Sequence, residues 1–331
     1  MSIVLVNDYL TGRLGEKKVL WNYMSDYIEN LKSIDIDIIS RDNQYNNNIS
    51  FEENVKNYIE NNYQDCKLII QNGSWFNLIQ YNCPKIILIQ DNLRKMNRMS
   101  YIQENNFKNA DYIVSNSNEV DDYYNERKLI QIPLGVDSNV FNIIPNKELL
   151  RIEMNLPIHN YFKFGIFVGS FTDTKGWGVM VDIINRRKDI YWLLITKHDY
   201  EYFSSDNSIV YKKIDQELLV KLLNCSDFFI LPSPSETQCL SAIEANLCGI
   251  PTIMRNTGYF TNLNISEIDN IGIVSDTFSD EDINKIYTTH FNPRNIIIHK
   301  FSIYSMIEKW KALINSIAGN PVSPTHPSTP P

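Results

Sequence analysis

The sequence has no run of about 18 apolar residues, so it predicts no membrane-spanning helix. Met1 to Leu10 shows neither a basic flank nor a cleavage-like signal, and no secretory leader is expected from it. Basic residues are in deficit. The 31 Lys and Arg against 39 Asp and Glu leave a formal charge of -8 and a pI near 5.2, which argues against nucleic acid as a partner while leaving local sites for small anions. Cysteine is sparse and odd in number. Cys66, Cys83, Cys225, Cys239 and Cys248 lack metal-ligand spacing, so reduced thiols, a cytoplasmic location and no zinc chemistry are expected. No repeat of solenoid length is present.

What remains is a chain of 331 residues, 43% of them hydrophobic, long enough to bury the cores of two domains. Short apolar runs recur with helical stretches between them at Ile3–Val6, Ile36–Ser40, Leu68–Gln71, Ile86–Ile89, Tyr112–Ser115 and Leu129–Ile132. A second series follows at Phe164–Val168, Trp192–Thr196, Ile209–Tyr211, Phe228–Leu231, Thr252–Met254 and Ile271–Val274. This rhythm predicts an α/β protein of two Rossmann-like halves, each built on a parallel sheet. Asp137 to Tyr161, polar and broken by Pro145 and Pro157, reads as the joining segment. The expected division is a first domain over 1–145, a linker over 146–161, a second domain over 162–300, a helix over 301–318 and a tail over 319–331. The helix follows from apolar residues at Ile303, Met306, Ile307, Trp310, Leu313, Ile314 and Ile317. The tail is proline-rich and polar, and is expected to be disordered.

The chemistry concentrates after the run Phe228–Leu231. Pro232-Ser-Pro-Ser-Glu236 reads as a turn, and Thr237 onward as a helix that Gly249 and Pro251 end. On that helix Leu240, Ile243 and Leu247 form a stripe, and Glu244 falls close beside it at about 100° per residue. An ionised carboxylate on the edge of a buried face requires a partner, so Glu244 is expected to reach a cleft rim or to hold a ligand such as a ribose. The free amides of Gln238, Cys239, Leu240 and Ser241, with the helix dipole behind them, suit a diphosphate. The plainer alternative makes Glu236 a first-turn acid and Glu244 a solvated side chain.

Taken whole, Ser235-Glu236-Thr-Gln-Cys-Leu-Ser-Ala-Ile-Glu244-Ala-Asn-Leu-Cys-Gly249-Ile-Pro251 resembles the Glu-x7-Glu signature of the retaining glycosyltransferases of family 4. The resemblance implies a GT-B fold, with two Rossmann-like domains facing across a cleft and the C-terminal helix packing back toward the first domain. It also implies that Glu244 holds the donor ribose, that Glu236 contacts the donor sugar, and that the amides between them hold the phosphates. Lys175, in Gly169-Ser-Phe-Thr-Asp-Thr-Lys175-Gly176, takes the place of a cation on the diphosphate. Ser170 stands in the donor site where the family commonly has an arginine. Gly15 lies in a segment similar to the family's first glycine-rich loop, where a missing side chain lets backbone approach a ligand. Gln90-Asp91 occupies the place of a frequent His-Asp pair, so Gln90 offers hydrogen bonds but no titration near neutrality, and Asp91 is a candidate contact to donor or acceptor. Val114-Ser-Asn-Ser117 and Ile132-Pro-Leu-Gly135-Val-Asp137 follow in the family's order.

The function implied is transfer of a hexose-type sugar from a nucleoside-diphosphate sugar, with retention, to a glycan, lipid-linked or protein acceptor during glycan or polysaccharide biosynthesis. Glu236, Lys175 and Asp91 form the expected catalytic set. No Asp-x-Asp pair stands in a suitable strand-end loop, so no obligatory cofactor and no metal are expected. Arg94, Lys95 and Arg98 suit an anionic acceptor or peripheral contact with a membrane surface, with a plain solvated loop as the simpler reading. The alternative function, drawn from Ser170 and Gln90, is a non-catalytic subunit that binds nucleotide sugars.

Overall fold

The structure is a computed structural model that describes residues 3–6, 36–39, 51–62, 67–72, 83–89, 101–118, 129–157 and 163–319. Gly15, Gln90, Asp91, the Arg94–Arg98 cluster and the tail beyond residue 319 lie outside the described residues.

The first sheet contains β1 (Ile3–Val6), β2 (Ile36–Ile39), β3 (Leu68–Asn72), β4 (Lys85–Ile89), β5 (Tyr112–Ser115) and β6 (Leu129–Gln131). Its order is β2-β1-β3-β4-β5-β6, and every pairing is parallel. Helices α1 (Phe51–Asn62) and α2 (Tyr101–Asn109) belong to this half. Its strands are mainly apolar, and Leu68 to Gln71 and Ile86 to Ile89 are buried, as in a parallel sheet covered on both faces. Ile87, Ile89 and Ile113 pack with Phe107 and Ala110 at α2. The alternate residues Ile86, Leu88 and Val114 face the other way, as the two-residue period of a strand requires, and meet Met306, Trp310, Leu313, Ile314 and Ile317.

The second half begins with α3 (Lys147–Glu153). It continues with β7 (Lys163–Val168), α4 (Trp177–Arg186), β8 (Ile190–Thr196), β9 (Ser208–Lys212), α5 (Gln216–Cys225), β10 (Phe228–Leu231) and α6 (Leu240–Leu247). After these come β11 (Thr252–Met254), α7 (Ile265–Ile271), β12 (Gly272–Val274), α8 (Asp280–Thr288), α9 (Pro293–Phe301) and α10 (Ile303–Gly319). The sheet order is β12-β11-β10-β7-β8-β9, again parallel throughout. From β7 the chain winds outward through β8 and β9, then returns to the other side of β7 and winds outward through β10, β11 and β12. Open α/β sheets bind ligands beyond the carboxyl ends of the strands where such a reversal occurs. Here that point lies between β7 and β10.

The segment 137–157 is more structured than its polar composition predicts. Phe141, Leu150 and Leu156 enter the second core, and Ile144 donates its amide to Asn224 Oδ1 at 2.8 Å. Lys147 and Arg151 of α3 both pair with Asp227, at 3.3 and 3.0 Å. Two charged residues thus fasten α3 beside α5 through one shared carboxylate.

Two strands of chain cross side by side between the halves. Val136 donates to Phe301 O at 2.8 Å, and Ile303 donates to Val136 O at 3.1 Å. Gly135 is required there, because a Cβ would run into the backbone of Ile303. Beyond this crossing α10 lies on the first sheet, with Trp310 fully buried.

Candidate functional site

The turns that follow β7 and β10 interlock at the reversal point. After β7 the chain forms a short 3-10 turn, Asp173–Lys175, then passes through Gly176 at φ 70°. This left-handed backbone favours glycine, and a Cβ here would also strike the Pro232 carbonyl. Ser233 Oγ donates to Thr174 O at 2.7 Å and ties the second turn to the first. Glu236 is fixed in turn by Thr257: the Glu236 amide donates to Thr257 Oγ1 at 2.9 Å, and that hydroxyl donates to Glu236 O at 3.3 Å.

These constraints bring Lys175 Nζ to 2.6 Å from Glu236 Oε1. The glutamate side chain is 9% exposed and the lysine 34%, so the pair stands at the wall of the site with its cation turned outward. Burial works against the ammonium, but the Glu236 carboxylate beside it prevails and holds the Lys175 pKa above its ordinary value. Lys175 is therefore a fixed positive charge at any physiological pH.

Helix α6 begins later than its sequence predicts, at Leu240 rather than Thr237. The cause is Gln238, whose side-chain amide accepts from Leu134 N at 2.9 Å and donates to Leu134 O at 2.8 Å. Its own carbonyl accepts the Tyr259 amide at 3.0 Å. With the chain held on both sides, Cys239 takes up the turn at φ 64° and caps the helix in the left-handed region. Among the described residues, no acceptor takes the amides of Gln238, Cys239, Leu240 or Ser241. They are the unsatisfied donors of a helix N-terminus. Burial pushes the Cys239 thiol up to about 12, and the Glu236 charge adds to the effect, so Cys239 can serve through its backbone and not as a thiolate.

Glu244 does not reach a rim. It is 2% exposed, and burial lifts its carboxyl well above the usual range. The reason is that Ala242 to Leu247 are all buried, so α6 lacks the solvated face that the stripe of three apolar residues predicts. Among the described residues its Oε1 has no hydrogen-bond partner. The helix ends as expected, with Gly249 at φ 79° and Gly249 and Ile250 amides returning to Asn246 O and Ala245 O.

Ser170 is half-buried, and its carbonyl accepts the Thr172 amide at 2.9 Å. A second lysine, which the motif reading passed over, stands at the end of the neighbouring strand. Lys197 directly follows β8, the neighbour of β7. Burial pulls its pKa down, and the positive charge of Lys175 does so further. The available signal was positional, since Lys197 stands just past the carboxyl end of β8, beside the strand that carries the Lys175 turn. Phe171 and Trp177 stack at 3.8 Å on either side of the Lys175 turn, and Phe203 meets Trp177 edge-on at 5.2 Å. The structure thus brings Lys175 and Glu236 together just before the start of α6, with Ser170 on the β7 turn, and leaves Glu244 buried within the helix. Among the described residues there is no group of three or more His, Cys, Asp or Glu placed to hold a metal ion. No described helix is long and apolar enough to cross a membrane.

Residues 162–289, which carry all of these side chains, match the family described as glycosyl transferases group 1. Protein CapJ of Staphylococcus aureus is 24% identical over 246 residues, an alignment that covers 66% of this chain and 58% of CapJ. The chain therefore spans little more than half the length of this curated relative. Among solved structures, sucrose-phosphate synthase from Thermosynechococcus elongatus superposes with a TM-score of 0.77 at 17% identity, covering 96% of this chain and 99% of that one. Anabaena Alr3699/HepE, solved in complex with UDP and glucose, superposes with a TM-score of 0.68 at 13% identity, covering 96% and 100%. The fold is GT-B, and the family match supports a glycosyltransferase.

Proposed function

We propose that this chain transfers a hexose-type sugar from a nucleoside-diphosphate donor, with retention at the anomeric carbon and without an obligatory metal, in the synthesis of a polysaccharide or related glycan. The observation that carries the reading is the half-buried Lys175–Glu236 pair at 2.6 Å, set beside the unpaired amides of α6. A site with fixed positive charge and four free donors suits a diphosphate leaving group, because stabilising developing negative charge is what such groups do best when water is excluded. Lys197 adds a second ammonium to the same edge. The ribose hydroxyls donate to Glu244, whose Oε1 is otherwise unpaired.

In this arrangement the donor sugar lies against Glu236, which orients it. The bond between the anomeric carbon and the diphosphate oxygen breaks as negative charge gathers on the phosphate. The α6 amides and Lys175 hold that charge. The acceptor oxygen attacks from the face the diphosphate leaves, and its proton passes to the departing phosphate oxygen. No side chain is needed as a nucleophile. The Anabaena protein, solved with UDP and glucose, makes a UDP-linked donor the first to try.

Calorimetric titration with UDP, GDP and ADP, with and without magnesium, tests the reading. One nucleotide is expected to bind without metal, and Glu244→Ala is expected to lose about 1 to 3 kcal/mol of its binding free energy. Failure of a folded wild-type chain to bind any of the three removes the donor site. Binding without turnover across a broad acceptor panel, unaltered by Glu236→Ala, favours a non-catalytic nucleotide-sugar-binding subunit instead.

A further inference from the structure

A polar cavity lies away from the crevice, on the face of the first sheet that α2 covers. Gln71 of β3, Lys85 and Ile87 of β4, and Asn106, Asn109 and Ala110 at the end of α2 line it, and it holds about 240 Å³ with its mouth included. Strand register explains the grouping. Gln71 stands beside Ile87 in the β3–β4 pairing, and Ile87 packs with Phe107 and Ala110 on the α2 side. Gln71 forms the floor, at 1% exposure. Asn109 is exposed and Lys85 half-buried, and they form the mouth, at the amino end of β4. Lys85 is held there, its Nζ donating to Cys83 O at 3.1 Å and its amide to Asp111 Oδ2 at 2.8 Å.

Gln71 is out of keeping with this setting. Ile87, Ile89 and Ile113 on the same face are apolar, and an amide buried without hydrogen bonds costs free energy. Yet among the described residues neither Oε1 nor Nε2 of Gln71 has a hydrogen-bond partner. Most buried polar side-chain atoms in folded proteins are paired, whereas here both ends of one amide are left open. The amide sets the chemistry of an occupant. Oε1 needs a donor and Nε2 an acceptor, side by side. A carboxylate or phosphate brings acceptors alone and sets its charge against Oε1. An ammonium brings donors alone, leaves Nε2 unmet and is opposed by Lys85 at the mouth. An uncharged group with a donor next to an acceptor, such as a carboxamide or a vicinal diol, satisfies both atoms. The cavity is smaller than the roughly 300 Å³ from which drug-sized pockets start, so the occupant is compact.

We infer that the Gln71 cavity is a binding site for a compact, uncharged group that carries a donor beside an acceptor, and that it is separate from the donor crevice. The crevice lies beyond the carboxyl ends of the second sheet, whereas this site opens at the amino end of β4 in the first. It does not rest on the glycosyltransferase reading. Its walls come from β3, β4 and the end of α2, so an occupant cross-links the helix to the two strands beneath it.

The test uses the full chain, isotope-labelled for NMR, with the Gln71 side-chain amide and the Ala110 backbone amide as reporters. The Gln71 signal is assigned by its loss in Gln71→Leu, a variant that should fold at least as stably as wild type because it removes the unpaired amide. Acetamide and ethylene glycol are the probes, and acetate and methylammonium, of similar size, are the charged comparisons. At least one neutral probe should shift both reporters of the wild type to a saturating limit. Its affinity, read at Ala110, should fall about tenfold or more in Gln71→Leu, as loss of buried hydrogen bonds implies. Saturation by acetamide alone identifies the ligand as an amide, and by ethylene glycol alone as a polyol. If neither neutral probe gives a saturable shift and Gln71 exchanges magnetisation with water only, the space holds water alone and the site is overturned. Tighter saturation by acetate or methylammonium, or a neutral-probe affinity unchanged in Gln71→Leu, would overturn it as well.

Discussion

Replacing Glu244 by Gln keeps the side-chain volume and removes a group that titrates. In the folded chain burial alone lifts the Glu244 carboxyl well above the ordinary range, whereas in the unfolded chain a glutamate titrates near about 4.3. Between those two values the folded state binds a proton that the unfolded state has released. The stability this contributes is complete below the unfolded value and is lost as pH rises through the folded one. Each pH unit between the two values costs about 1.4 kcal/mol. Glu244→Gln has no such slope, so the variant should be the more stable of the two in the absence of ligand as the pH approaches neutrality. Nucleotide reverses the order. Ribose hydroxyls donate to the ionised carboxylate and draw its pKa down, so binding to the wild type should release a proton. The variant should release none and should bind roughly tenfold more weakly, about the worth of one hydrogen bond to a charged group. Thermal melts from about pH 5 to pH 8 measure the first effect, and titrations in two buffers of different ionisation enthalpy measure the second. Melting curves that run parallel for the two proteins across that range, with identical proton release, would refute the assignment of Glu244 as the buried, ligand-gated acid.

Other expectations concern the frame around it. Lys175→Ala removes the ion-pair partner of a glutamate side chain that is 9% exposed, and kcat should fall about 10²-fold, the cost of deleting a donor to developing charge. Combining it with Glu236→Gln should be less than additive in a double-mutant cycle, since the two side chains touch. Gly176→Ala places a Cβ against the Pro232 carbonyl at φ 70° and should lower stability by about 2 kcal/mol or more, seen as a lower urea midpoint at unchanged slope. Gln238→Ala strips Leu134 of both its amide partners and should cost about 2 to 4 kcal/mol by leaving buried backbone groups unpaired. An unaltered melting temperature in that variant would show that the contact between the halves is not held by Gln238.

Strand positions were legible because a parallel sheet covered on both faces writes itself as short apolar runs, and each expected run falls on an observed strand, such as Phe228–Leu231 on β10. The 303–317 stripe was legible for the same reason, since one side of α10 meets the first sheet and the other meets water. The fully apolar environment of α6 was not. A window of sequence shows which residues are apolar, but it cannot show that Ala242, Ala245 and Asn246 are also covered, so Glu244 looked like an edge residue and proved to be interior. The delayed start of the helix has a similar origin. Gln238 contacts Leu134 across 104 positions of chain, and no local propensity reports a bond of that span. Lys147 and Arg151 lie in a segment that the sequence marks only as polar, and Asp227, distant in sequence, gathers both. What local pattern conveys is the period of burial, while what holds the crevice together is a small set of long-range polar contacts: Lys175 to Glu236, Gln238 to Leu134, Asn118 to Asn262. The first two fix Glu236 and the start of α6, and the last two join the two halves. The bonds that the sequence hid are therefore the ones that set the start of α6 and hold it against the first half.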